Sequence, residues 1–127
     1  MPMLTYQELT PAACVDVLRQ TAVTRVAFTD GVSPYLVPMA FRLDAEGLTP
    51  LIRLSMPDTG RKIDCLCRCD RVCLEFEQPG CAWVDVVLAE GAAMLDAWEK
   101  GTGVALHVRA ETLSGRRFFL HGGELHD

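Results

Sequence analysis

A glycine and two cations open a short predicted helix in the middle of the chain, in the segment Thr59-Gly60-Arg61-Lys62. We predict that Thr59 or Asp58 caps this helix by accepting a backbone N–H group of its first turn. Cations are unfavourable at a helix N-terminus, because the macrodipole already places partial positive charge there. They become favourable when an anion binds in front of the helix. The pattern therefore predicts a phosphate site, although two ordinary surface cations neutralised by Asp58 would have the same sequence.

Most of the cysteines follow this segment closely, and a metal site has to be considered. The chain has six, of which these five crowd together: Cys65, Cys67, Cys69, Cys73 and Cys81. In a helix Cys65 and Cys69 share one face while Cys67 points away. This spacing differs from the Cys-x2-Cys pairs of zinc sites and from the cysteine runs of iron–sulfur proteins. We therefore expect small, half-buried thiols and no metal.

The other side chains that carry chemistry are scattered. His107, His121 and His126 have no Asp or Glu at metal-ligand spacing, and Ser114-Gly115 is not part of a nucleophile elbow. The sequence also has no Gly-x-Gly-x-x-Gly dinucleotide motif. An enzyme with this sequence would therefore depend on a bound cofactor for its chemistry.

Composition limits the class of protein. A chain of 127 residues is expected to form one domain, here residues 1–127. A formal net charge of -5 and a pI near 5.1 argue against a general nucleic-acid binder. The sequence has neither an apolar run of membrane-spanning length nor the pattern of a signal peptide at Met1. We expect a cytoplasmic protein that has neither nucleic acid nor membrane as a partner.

The predicted elements are mostly strands. Thr10-Pro11 starts a helix that continues to Gln20. Strands are expected at residues 24–28, 35–43, 48–55, 72–76, 83–95 (with a bend or bulge near Gly91) and 104–110. Pro38 cannot donate to a sheet ladder, so either its strand lies at an edge or something other than a strand meets the backbone there. Residues 114–127 are ambiguous: they form a loosely packed tail, or include a short strand at 117–120.

This pattern predicts a mainly β fold, a six-stranded antiparallel barrel with an N-terminal helix and a short helix between strands 3 and 4. Four segments in order then resemble a known family: Val23–Phe28, Pro34–Met39, Gly60–Leu66 and Arg71–Cys73. Together they are similar to the FMN-binding split-barrel proteins, in the branch called pyridoxamine 5′-phosphate oxidase-like or 5-nitroimidazole-resistance-like. The resemblance runs from about Thr10 to Leu113, which is most of the chain.

The resemblance implies a split β-barrel that forms a homodimer with FMN at the interface. By position, Arg61 and Lys62 match the pair that holds the FMN phosphate, in agreement with the anion argument above. Further positions match the cofactor contacts of the family: Ser55 and Met56 beside the phosphate and ribityl chain, Val37, Pro38, Met39 and Ala40 along the isoalloxazine ring, and Trp83 and Asp85 where a strand closes the site.

Three positions depart from the family pattern. Ser55 stands near where members of the nitroimidazole branch often carry His, Glu90 stands where Gly often follows the long strand, and the helix before the last strand is reduced to Asp96–Lys100. The implied function is an FMN-dependent oxidoreductase, nitroreductase-like or pyridoxamine 5′-phosphate oxidase-like, acting on a small acceptor. The residues do not identify the substrate or the electron donor. Two alternative functions also stay open: a non-catalytic flavin- or haem-binding module of the same fold, and a dimer without cofactor.

Overall fold

A computed structural model describes residues 5–44, 49–97 and 103–119 of the chain. These residues form two helices and nine strands, in this order: β1 (Thr5–Glu8), α1 (Pro11–Gln20), β2 (Val23–Thr29), β3 (Pro34–Ala40), β4 (Arg42–Asp44), β5 (Leu51–Pro57), α2 (Arg61–Arg68), β6 (Arg71–Pro79), β7 (Trp83–Ala97), β8 (Gly103–Arg109) and β9 (Thr112–Phe119). Neither described helix is long and apolar enough to cross a membrane.

The strands pair antiparallel in the order β3-β2-β6-β7-β8-β5-β4, and β9 pairs with both β7 and β1. Strand β7 joins the two parts of this sheet. Its residues up to Glu90 lie between β6 and β9, and from Ala93 onward they pair with β8. This change of partner falls at Gly91, where the sequence predicts a bend. The chain thus has the expected mainly β, antiparallel split-barrel fold.

The number of strands differs from the six expected. The run from residue 35 to 43 is divided at Phe41, because β3 pairs with β2 whereas β4 pairs with β5. Strand β1 was not expected, and β9 covers residues 114–119, where a loose tail was one of the two alternatives. The third predicted strand, 48–55, is observed as Leu51–Pro57, and Leu48 lies outside the described residues. Of the short helix expected at 96–100, Asp96 and Ala97 instead belong to β7 and pair with β8, and the other three residues lie outside the described ones.

Helix α1 covers one side of the sheet, as its sequence predicts. Thr10 caps it by accepting a hydrogen bond from the Ala13 N–H at 3.1 Å, and Pro11 occupies the first turn. The residues it buries are the four of the predicted apolar side: Cys14, Val15, Val17 and Leu18. Cys14, Val17 and Leu18 belong to the same core cluster as inward residues of the sheet, including Phe28, Ile52, Leu74, Phe76 and Leu106, and α1 itself lies against β6, β7 and β9. This core holds the sheet in place, and the sheet in turn positions α2 and the edge strand β3.

Candidate functional site

Helix α2 begins without a side-chain cap. Its N-cap is Gly60, whose φ of 116° is a conformation that glycine adopts easily, and no side chain hydrogen-bonds to the first turn. The prediction that Thr59 or Asp58 caps the helix is therefore wrong. The backbone N–H groups of the first turn stay open to a ligand, and the two cations follow them directly, Arg61 exposed and Lys62 half-buried.

Arg61 contacts an aromatic ring on a distant strand. Its Cζ lies 4.3 Å from the centre of the Tyr35 ring, which belongs to β3. Neither Arg61 nor Lys62 makes a hydrogen bond or ion pair with any residue in the described ranges. The N–H donors of both cations are thus free of competing acceptors while one of the cations is held in position by an aromatic face.

Strand β3 lies at the edge of the described sheet and pairs there only with β2. This confirms the edge alternative for Pro38, which stands opposite Arg25. The side chains alternate, with Val37 and Met39 half-buried and Pro38 and Ala40 exposed. The free edge of β3 therefore starts at Tyr35, beside Arg61, and runs past the four residues predicted to lie along the flavin ring.

Ser55 and Met56 lie near the end of β5, only a few residues before α2. Ser55 is exposed, whereas the Met56 side chain is 5% exposed and belongs to the core. A ligand next to β5 could therefore reach the Ser55 hydroxyl but would meet Met56 mainly through its backbone.

Trp83 and Asp85 form a separate cluster with Arg117 of β9. The Asp85 side chain is buried, and its two oxygens accept hydrogen bonds from Arg117 Nε at 2.8 Å and Nη2 at 3.1 Å. The Arg117 guanidinium lies over the Trp83 ring, 3.9 Å from its centre, and its hydrogen bond with Asp85 raises its pKa. No hydrogen bond, ion pair or ring contact among the described residues joins this cluster to Arg61. Within one chain, the hydrogen bonds of Asp85 with Arg117 link β7 to β9.

A further cleft, which the sequence did not indicate, lies between the end of α1 and the corner of β3 and β4. It has a volume of about 330 Å³ and is lined by Leu18, Arg19, Thr21, Phe41 and Leu43. Phe41 directly follows Ala40, so this cleft and Arg61 lie at opposite ends of β3. Its one cation, Arg19, pairs with Asp16 at 3.3 Å.

The cysteines are free thiols in varied surroundings. Cys14 and Cys65 are buried, Cys67 and Cys81 are exposed, and Cys69 and Cys73 are half-buried. Burial raises the pKa of the Cys14 and Cys73 thiols, with Asp85 adding to the effect at Cys14 and Glu90 and Glu75 at Cys73. In the described part of the chain no three His, Cys, Asp or Glu residues are placed to hold a metal ion.

Comparison with solved structures finds the same fold in other proteins at low sequence identity. The chain matches an FAD-binding protein from Mesorhizobium loti with a TM-score of 0.78 and 18% identity, covering 91% of this chain and 98% of that one. It matches a putative pyridoxamine 5′-phosphate oxidase from Corynebacterium glutamicum with a TM-score of 0.76 and 14% identity, covering 91% and 100%. A putative 5-nitroimidazole antibiotic resistance protein from Bacteroides thetaiotaomicron matches with a TM-score of 0.73 and 16% identity, covering 93% and 92%.

No protein-family model and no curated protein sequence matches the chain. The structural matches define its fold, which is the split barrel of these proteins. Two of these proteins carry the names of the branch that the sequence resembles, pyridoxamine 5′-phosphate oxidase-like and 5-nitroimidazole-resistance-like.

Proposed function

We propose that this protein binds FMN along the free edge of β3, with the phosphate at the N-terminus of α2, and that it acts as a flavin-dependent oxidoreductase. The observation that carries the proposal is the contact between Arg61 and Tyr35. It brings together two segments that are distant in sequence and that the family resemblance assigns to the two ends of the cofactor. The FAD-binding and pyridoxamine oxidase-like names of the structural neighbours support the choice of a flavin.

The phosphate end is assigned to three kinds of donor. The uncapped first turn of α2 offers backbone N–H groups and the positive end of the helix dipole. Arg61 offers a planar set of N–H donors suited to bidentate phosphate binding, and Lys62 offers an ammonium point charge. Ser55, exposed near the end of β5, offers a neutral hydroxyl donor. These groups fit a dianionic phosphate and would leave it partly exposed to solvent.

The ring end is assigned to the backbone and side chains of Val37, Pro38, Met39 and Ala40. An edge strand has unpaired N–H and C=O groups, which can hydrogen-bond the heteroatoms of a planar ring. The backbone groups of successive residues point to opposite sides of a strand, so on the side where Pro38 lacks its N–H the next donors are those of Leu36 and Ala40. Met56, beside the phosphate and ribityl chain, contributes through its backbone. The contribution of Asp85 is indirect, since it holds Arg117 against the Trp83 ring.

The proposed chemistry belongs to the cofactor. FMN held by these residues would supply two-electron transfer between a reduced donor and a small acceptor, whereas the protein would bind and orient the partners. The residues named above supply phosphate and ring contacts and no side-chain base. A non-catalytic flavin- or haem-binding module would use the same contacts, and turnover is the property that distinguishes it.

We further propose that the active form is a homodimer. The outer face of the sheet carries exposed apolar side chains on β2, β3 and β7, among them Val23 (54% exposed), Leu36 (63%) and Leu88 (38%). The register places Leu36 beside Ala27, and Pro38 in one row with Arg25, Glu75 and Leu88. This face adjoins the edge of β3, so a second copy packed on it would cover the proposed ring site.

The test is the flavin content and flavin affinity of the purified protein. We expect a flavin absorption spectrum after purification, or stoichiometric binding of added FMN by isothermal titration, with FMN bound more tightly than riboflavin. Tighter binding of FAD than of FMN would mean that FAD is the cofactor, and the proposed site would be unchanged. A colourless protein that binds none of the three flavins would contradict the proposal.

Turnover is tested separately. FMN-loaded protein is mixed with reduced nicotinamide and with nitro or quinone acceptors, and the oxidation of the nicotinamide is followed by absorbance. Reduction of the flavin followed by its reoxidation by an acceptor is the expected result. A protein that binds FMN and is never reduced would favour the non-catalytic binding module.

A further inference from the structure

We infer that Tyr35 is a positioning residue. It holds the Arg61 guanidinium at the N-terminus of α2 and so sets the preference for a phosphorylated flavin over an unphosphorylated one. The inference rests on the proposed function and names a residue that the phosphate motif itself does not contain. It starts from the 4.3 Å contact between the Arg61 Cζ and the centre of the Tyr35 ring.

The Tyr35 ring packs against a residue of the core. Tyr35 stands directly opposite Phe28 in the β2–β3 ladder, and the two ring centres are 6.4 Å apart. Phe28 is 2% exposed and belongs to the core. The turn before β3 is also ordered, because the Asp30 carboxylate accepts hydrogen bonds from the N–H groups of Val32 at 2.8 Å and Ser33 at 2.7 Å. These two hydrogen bonds, that of Ser33 first, lower the pKa of Asp30.

A ring held in this way can order a flexible cation. Arginine loses considerable side-chain freedom when it is immobilised, and this loss weakens binding if it occurs only when the ligand arrives. A cation–π contact orders the guanidinium beforehand. Because the contact is with a ring face and not with an acceptor atom, it consumes none of the N–H donors that a phosphate needs. Lys62 has no such contact in the described part of the chain, so the two cations differ in how far they are ordered.

The chain contains a matched control for this contact. Arg116 lies over the ring of Tyr6 at the same 4.3 Å distance, on strands β9 and β1. No residue of the proposed site takes part in this second pair. Tyr6→Leu therefore removes an equivalent cation–π contact without touching the phosphate end, and Tyr35→Phe keeps the aromatic face at the site while removing only the hydroxyl.

The experiment measures the affinity of the full-length protein for FMN and for riboflavin in wild type, Tyr35→Leu, Tyr35→Phe and Tyr6→Leu. We expect Tyr35→Leu to weaken FMN binding by about three- to tenfold and to change riboflavin binding by less than about twofold. Tyr35→Phe and Tyr6→Leu should bind FMN as the wild type does. Equal weakening of both flavins, or no change in FMN affinity, would overturn the inference.

A second measurement needs no flavin. The ¹⁵N relaxation of the Arg61 Nε–Hε group reports its mobility on the picosecond to nanosecond timescale. We expect an ordered group in wild type and Tyr35→Phe and a mobile one in Tyr35→Leu, and equal mobility in all three would overturn the inference. Failure of the wild-type protein to bind FMN would instead overturn the proposed function, since that result does not depend on any Tyr35 variant.

Discussion

At the residue scale, the Asp85–Arg117 pair shows how a buried charge is tolerated in this core. The Asp85 side chain is 5% exposed and that of Arg117 is 36% exposed, so one partner is in the core and the other reaches solvent. Both Asp85 oxygens accept hydrogen bonds from the guanidinium, which also packs on Trp83. A buried carboxylate is costly without such a partner.

We expect Arg117→Met to lower the unfolding midpoint by several degrees, because the methionine can fill part of the space but leaves the Asp85 carboxylate buried and unpaired. Arg53→Met is the matched control, since Arg53 pairs with Asp44 at 2.8 Å while the two side chains are 48% and 56% exposed and lie away from the proposed dimer face. Surface ion pairs contribute little, so this variant should unfold close to the wild-type midpoint. Equal midpoints for the two variants in thermal unfolding followed by circular dichroism would show that Arg117 is not needed to satisfy Asp85.

At the element scale, strand β7 depends on a close approach at the point where it changes partner. A Cβ atom added at Gly91 would lie 2.4 Å from the carbonyl oxygen of Arg109. At Gly115 it would lie 2.7 Å from the Cys14 Sγ, which is the end of a side chain. A side-chain neighbour can be shortened by substitution, whereas a backbone neighbour cannot.

We therefore expect Gly91→Ala to destabilise the fold by about 1–3 kcal/mol. The stability of Gly115→Ala should improve when Cys14→Ala is added, because the nearest obstructing atom is then removed. Urea denaturation of the three variants measures this. A Gly91→Ala protein as stable as the wild type would mean that β7 and β8 separate at this point at little cost.

The local elements that the sequence predicted correctly have their causes nearby in the chain. The cap and apolar side of α1 and the alternation of Val72, Leu74 and Phe76 in β6 can be read from single residues and short periods. Strand β4 could not be predicted, because Phe41 continues the alternation of β3 while the pairing partner changes. Its ring packs edge-on against Phe76, with centres 5.0 Å apart, and this contact lies across 35 residues of sequence.

The candidate site was predictable to a similar extent. Two adjacent cations after a glycine indicated the phosphate end, since they conflict with the helix dipole unless an anion is present. The partner of Arg61 could not be read from the sequence, because Tyr35 lies on another strand and reaches Arg61 only through the fold. The same holds for Arg117, which lies in the segment whose structure the sequence left ambiguous. Its role as the partner of Asp85 is evident only when β9 places the two residues opposite each other.

At the scale of the whole molecule, we expect association to depend on flavin. A ligand that binds only the dimer stabilises it by mass action, by about 2.7 kcal/mol at a hundred times its dissociation constant. Sedimentation across a dilution series, with and without FMN, measures this coupling. Identical dissociation curves would place the cofactor away from the interface, and a monomer at all concentrations would remove the proposed dimer. Leu36→Lys, on the exposed outer face, should weaken association without affecting the core.

The most direct test of the central claim is the effect of Lys62→Ala on the binding of FMN compared with riboflavin. Loss of one charge-assisted contact should weaken FMN binding by roughly 1.5–3 kcal/mol, or about ten- to a hundredfold. Riboflavin has no phosphate, so its affinity should be nearly unchanged. Arg68→Ala, at the other end of α2, is the control and should leave both affinities close to wild type. Equal weakening of FMN and riboflavin by Lys62→Ala would contradict a phosphate site at the N-terminus of α2.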